Sequence, residues 1–113
     1  MPKDDAVYLN HIWDAISYIE SYTQDATEEE FMTNHLVQDG VIRQLEIIGE
    51  AVKSLSDDII DKYTDVPWHD ISAMRNVLIH HYFGVDLDEI WLTIQTDVPD
   101  LKENIQKIFD ELD

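Results

Sequence analysis

Apolar residues recur along this chain in steps of three and four, and no stretch alternates apolar with polar for long, so the dominant period is helical. The first stripe, Leu9, Ile12, Trp13, Ile16 and Ile19, predicts a helix from an Asp4-Asp5 cap to about Thr23. Thr27-Glu28-Glu29-Glu30 has capping-box spacing and leads directly into Phe31. A second helical region is predicted from there to about Leu55, with an inner stripe of Val41, Leu45, Ile48, Val52 and Leu55. Gly49 lies inside it and marks a close helix–helix approach rather than a break. Ser56 to Val66 reads as a polar, acidic connection with room for one short turn of helix. Pro67 suits the first position of the next helix, behind Asp65 or Val66 as cap. That helix carries Trp68, Ile71, Met74, Leu78 and Ile79, and Gly84 is its natural stop. Asp86-Leu87-Asp88-Glu89 restarts a helix through Trp91 and Ile94, and Asp97-Val98-Pro99 is a kink or a new start. Leu101, Ile105, Ile108 and Leu112 complete the pattern. The expected fold is all-α: one domain over residues 1–113, a four- or five-helix up-and-down bundle.

Composition narrows the chemistry. Cysteine is absent, which excludes a disulfide framework, a thiolate nucleophile and a Cys-type zinc site. No apolar run approaches the ~20 residues a bilayer span needs, and the acidic Met1-Pro2-Lys3-Asp4-Asp5 start is unlike a signal peptide. A cytoplasmic location with no membrane partner is therefore expected. Asp and Glu number 25 against 7 Lys and Arg, a formal charge of −18. Such a surface repels phosphate backbones at long range. A salt-adapted source and a basic protein partner would each account for it.

One segment stands apart: Arg75-Asn76-Val77-Leu78-Ile79-His80-His81-Tyr82-Phe83-Gly84. It crowds an arginine, an amide, two histidines and a tyrosine onto the end of an apolar helix, and Arg75 is one of only two arginines in the chain. At ~100° per residue, positions 75 and 80 lie about 140° apart around an ideal helix, and 80 and 82 about 200° apart. They cannot share one face. Either the helix loosens before Gly84, or the residues meet those of a second copy across a dimer cleft. Histidine can take a 2′-hydroxyl proton from RNA or protonate the leaving oxygen near neutral pH. Arginine, always charged, matches phosphate oxygens in pairs, and an asparagine can orient either group. These groups suffice for metal-independent RNA cleavage that leaves a 2′,3′-cyclic phosphate. A plainer reading stands beside it: Arg75 paired with a carboxylate, the histidines as helix-dipole partners and Tyr82 as core.

The order of features resembles the HepT-like branch of the HEPN domains. That family's signature is Arg, four residues, His, one residue, Tyr, and it stands here as Arg75-(Asn76, Val77, Leu78, Ile79)-His80-His81-Tyr82. Val41 through Ala51 is similar to the family's second-helix segment, Val66 through Ile71 to its lead-in to the active-site helix, and Val85 through Trp91 to the segment that follows. The likeness runs from about Tyr8 to Leu101. It implies a HEPN-like helical homodimer with two Arg/His sites facing a shared cleft, acting as a ribonuclease toxin in a toxin–antitoxin pair of type VII. It further implies an antitoxin, a minimal nucleotidyltransferase of the MntA type, that transfers AMP from ATP to the motif tyrosine, here Tyr82. A bulky anion there would fill the phosphate site and repel RNA.

The expected roles are thus His80 as general acid/base, Arg75 as transition-state stabiliser, Asn76 as orienting group and Tyr82 as AMP acceptor. Arg43 and His81 are candidate RNA contacts, and no cofactor is called for. His11, His35 and His69 have no ligand-like spacing, so a di-iron or zinc site is not expected. Trp13, Trp68 and Trp91 read as core or dimer interface, and the acidic runs at Asp57-Asp58 to Asp61 and at the C-terminus as solvated surface. The rival expectation is a binding module, a helical dimer serving as docking platform and AMP acceptor with weak or no nuclease activity.

Overall fold

The stripe read from residues 9 to 19 becomes the inner face of the first helix in a computed structural model, which describes residues 4–80 and 86–112. Helix α1 (Asp4–Thr23) buries Leu9, Ile12, Ile16 and Ile19, while Trp13 is half-buried edge-on to Phe109. The capping box forms as its spacing predicts. Glu30 N–H donates to Thr27 Oγ1 at 3.1 Å, and Thr27 N–H donates to Glu30 Oε1 at 3.0 Å. The Thr27 N–H that donates to the carboxylate, and then the Thr27 side chain, hold Glu30 below the usual carboxyl range.

The helix this box starts is short. The expected continuous region to Leu55 is divided at Asn34 into α2 (Glu28–Thr33) and α3 (His35–Lys53). Asn34 ends one helix and caps the next, its extended backbone letting Oδ1 accept from Val37 N–H at 3.2 Å. Gln38, buried, ties the break together by donating to the Phe31 carbonyl at 2.8 Å. The predicted stripe of α3 is buried throughout.

The acidic connection holds one short helix, α4 (Asp57–Lys62), capped by Ser56. A buried carboxylate locks it to the start of the chain: Asp5 accepts from Ser56 N–H at 2.8 Å and from Ser56 Oγ at 2.5 Å. The contact joins the start of α1 to the end of α3, so these two helices run antiparallel.

Helix α5 (Trp68–His80) begins one residue later than Pro67, whose carbonyl accepts the first-turn bond from Ile71. Trp68 and Leu78 are buried, with Ile71 and Met74 packed against the core. The proposed stop at Gly84 and the side chain of Ile79 lie outside the described residues. Asp86 caps α6 (Leu87–Leu92), accepting from Asp88 and Glu89 N–H. At Asp97-Val98-Pro99 the chain neither breaks nor restarts. It passes through a π-helical turn (Thr93–Asp97) into α7 (Val98–Leu112). Pro99 has no N–H and would clash with the carbonyl four residues back, so the turn widens and Val98 N–H reaches Thr93 instead.

Four rods result: α1, α3, α5 and the α6–α7 run, with α2 and α4 as braces. The all-α bundle is as expected. Helix α3 packs against both α1 and α5, and α7 closes on α1, where Lys102 bridges to Glu20 at 2.9 Å. No helix among the described residues is long and apolar enough to cross a membrane.

Candidate active site

The site is made where α3 and α5 cross, and Gly49 sets their separation. A Cβ at Gly49 would stand 2.8 Å from Arg75 Cβ and 3.2 Å from the Ile71 carbonyl oxygen. Only a residue without a side chain lets the motif helix lie this close, which brings Arg75 alongside the solvent edge of α3. There its guanidinium Nε is ion-paired with Glu50, and Nη1 donates a long 3.4 Å bond to Asn76 Oδ1. The Arg75 side chain is 30% exposed and Glu50 58%. The plainer expectation for Arg75, a carboxylate partner, is therefore met. The pair is thus open to solvent chiefly on its glutamate side.

Arg43 reaches the same place. Arg43, Glu46 and Glu50 follow one another at helical spacing along one face of α3, and Arg43 lies 3.6 Å from Glu46 with its side chain 68% exposed. Both arginines of the chain, the two glutamates, and Tyr8 and His11 from α1 line one open hollow of about 270 Å³. Ile47 and Ala51 line it as well. The rings of Tyr8 and His11 stand edge to face, 5.9 Å apart at their centroids.

Of the residues singled out from the sequence, the structure thus joins Arg75 to Asn76 and brings Arg43 to the same hollow. His80 ends α5, but its side chain, with His81 and Tyr82, lies outside the described residues. The helix is continuous α through His80, so the loosening considered above does not occur before that point. Sequence reasoning sets His11 aside for want of ligand-like spacing and does not mark Tyr8 or Glu50. The Arg43, Glu46, Glu50 spacing was the available signal for Glu50; the arrival of α1 beside it had none.

A larger hollow of about 620 Å³ lies between α3, α5 and α7. Apolar residues such as Leu45, Ile71 and Leu101 line it beside Asp65, Asp70, Asp97, Asp100 and Glu103, with no basic side chain among the described residues. That lining is unsuited to a phosphate backbone.

Comparisons with known proteins bear on the chain as a whole. The family model described as ribonuclease HepT-like matches residues 12–108. The probable ribonuclease HepT of Thermococcus cleftensis is 40% identical over 108 residues, covering 96% of this chain and 98% of that relative. A candidate RNase of Methanocaldococcus jannaschii is 40% identical over 116 residues, covering all of this chain and 98% of the relative. A further protein of that organism, named as a gamma-glutamylcyclotransferase and candidate RNase, is 50% identical over all of this chain, which spans 51% of its length. No solved structure matches. On the extent of the family match and the identity to relatives spanned almost end to end, the chain belongs to the HepT-like ribonuclease family.

Proposed function

We propose that this chain is a metal-independent endoribonuclease and the toxin of a toxin–antitoxin pair. The observation that carries the reading is Arg75. It sits on the motif helix, part-exposed at a hollow that holds the chain's whole complement of arginine, in a protein otherwise strongly acidic. His80 takes the 2′-hydroxyl proton as that oxygen attacks phosphorus, and a proton is returned to the departing 5′-oxygen. The products are a 2′,3′-cyclic phosphate and a 5′-hydroxyl. Arg75 exchanges Glu50 for the phosphoryl oxygens as their charge develops, and Asn76 orients the guanidinium.

The chain works as a homodimer in this reading. With α5 unbroken from position 75 to 80, the two positions stand about 140° apart around its axis, which favours a site shared by two copies. Val77, 56% exposed on the same helix, offers apolar surface for a second copy to cover. Neutralisation comes from a minimal nucleotidyltransferase: the Tyr82 oxygen attacks the α-phosphorus of ATP, pyrophosphate leaves, and the adduct's negative charge takes the place of substrate phosphate. The test is cleavage of RNA by wild type and by His80→Ala, with mass spectrometry before and after incubation with ATP and the partner. Loss of cleavage in the variant and gain of AMP on Tyr82 are expected; equal cleavage by both proteins refutes the role of His80.

The rival reading, a docking platform and AMP acceptor with little nuclease activity, is favoured by the charge of −18 and by Glu50 already occupying Arg75. It predicts AMP transfer to Tyr82 with no cleavage by the unmodified protein.

A further inference from the structure

We propose that the hollow between α1, α3 and α5 is a subsite for a single unpaired nucleotide of RNA, with Tyr8 and His11 receiving the base and Arg43 its phosphate. The inference rests on the reading that Arg75 meets the scissile phosphate, and extends it along the strand.

Charge is the first support. Across a chain of formal charge −18, this hollow sets two arginines against two glutamates, so it is locally neutral. The larger hollow between α3, α5 and α7, by contrast, is lined by five carboxylates and, among the described residues, by no basic side chain. Arg43 is also poorly committed. Its side chain is 68% exposed and comes no nearer than 3.6 Å to Glu46, a loose contact that a phosphate accepting two N–H bonds would replace.

Shape and ring chemistry are the second. Histidine and tyrosine rings are stacking platforms for splayed bases, and here one of each stands at the wall of a hollow of about 270 Å³. His11 is exposed on α1 and Tyr8 half-buried beside it, so a base has ring surface to meet. A paired A-form strand keeps its bases inside the duplex and cannot offer one to this wall. The subsite therefore selects unpaired RNA, and the two arginines track consecutive phosphates: Arg75 the one that is cut, Arg43 its neighbour.

The experiment measures binding of a fluorescein-labelled oligouridylate by anisotropy in the full-length His80→Ala protein, so that no cleavage intervenes. In that background His11→Ala weakens binding by roughly 5- to 150-fold, the range measured for loss of one base–aromatic stack. Arg43→Ala weakens it by several-fold, and His11→Phe restores it to within about twofold of the parent. An RNA duplex of the same length competes poorly. Both positions are exposed on helices, and unchanged thermal melts establish that the variants fold. Parental affinity in His11→Ala and Arg43→Ala, failure of His11→Phe to restore binding, or equal competition by duplex each overturns the proposal. Failure of the nuclease reading shows separately, as absence of cleavage by the His80-intact protein.

Discussion

Gly49→Ala and Gly40→Ala make the same chemical change in the same helix, and the structure predicts opposite signs. Replacing an interior helical glycine by alanine gains ~1 kcal/mol from reduced backbone freedom in the unfolded chain. At Gly40 the new Cβ would meet only the Tyr22 ring, at 3.1 Å, and Tyr22 is 38% exposed and free to swing aside. Gly40→Ala therefore keeps most of the gain. At Gly49 the neighbours are Arg75 Cβ at 2.8 Å and the Ile71 carbonyl at 3.2 Å, atoms that move only if α5 moves. Overpacking of this kind costs ~1–3 kcal/mol, which leaves a net loss near 1 kcal/mol. The two variants should differ by ~2 kcal/mol, or about 8 °C in Tm for a domain of this size. Thermal and urea unfolding followed by circular dichroism reads both. Because the nearest atom to the new methyl belongs to Arg75, Gly49→Ala should also lose cleavage by roughly tenfold under conditions where it is folded. A Gly49→Ala protein as stable as Gly40→Ala would refute the close crossing of α3 and α5.

Other outcomes follow from single contacts. Asp5→Ala strips the partner from Ser56 N–H and Oγ and should cost ~1–3 kcal/mol in urea unfolding; a loss within error of zero would show that the buried carboxylate does not hold α4 to α1. Tyr63 donates to Glu111, and that bond, then desolvation, then the carboxylate's charge push its phenol up to about 12. A phenol pKa raised on folding gives stability that is full below about 10 and lost as pH rises through about 12, a small effect at so exposed a site. Absorbance titration should show a late phenolate that moves back toward the ordinary value in Glu111→Gln; no such change on substitution would refute the contact. Cleavage in EDTA should change steeply across an ionic-strength series, because screening of −18 charges per chain governs RNA approach; a flat profile would count against that account.

How far the sequence could be read depended on the range of the interaction. The stripes from Leu9 to Ile19 and from Val41 to Leu55, the Thr27 box and the helix restart at Asp86 are local patterns, and all stand in the structure. Gly49 was legible as a close approach because a glycine in a buried helical stripe has few other uses. The division at Asn34 was missed because an asparagine capping from an extended backbone leaves the apolar period on both sides intact. The π turn was missed because Pro99 signals a disturbance but not how the chain resolves it. Arg75, Asn76 and Arg43 were marked as candidates from the motif and from scarcity of arginine. Their meeting with His11 and Glu50 was not, since it depends on how α1, α3 and α5 pack rather than on any spacing within one helix.

The most direct test of the central claim is RNA cleavage by protein shown by mass spectrometry to carry no AMP, in EDTA, with the new 3′ ends analysed. Wild type should cut and leave 2′,3′-cyclic phosphate, while His80→Ala and Arg75→Ala, both folded, should not. Cleavage that survives both substitutions, or none from the wild type, would contradict the account.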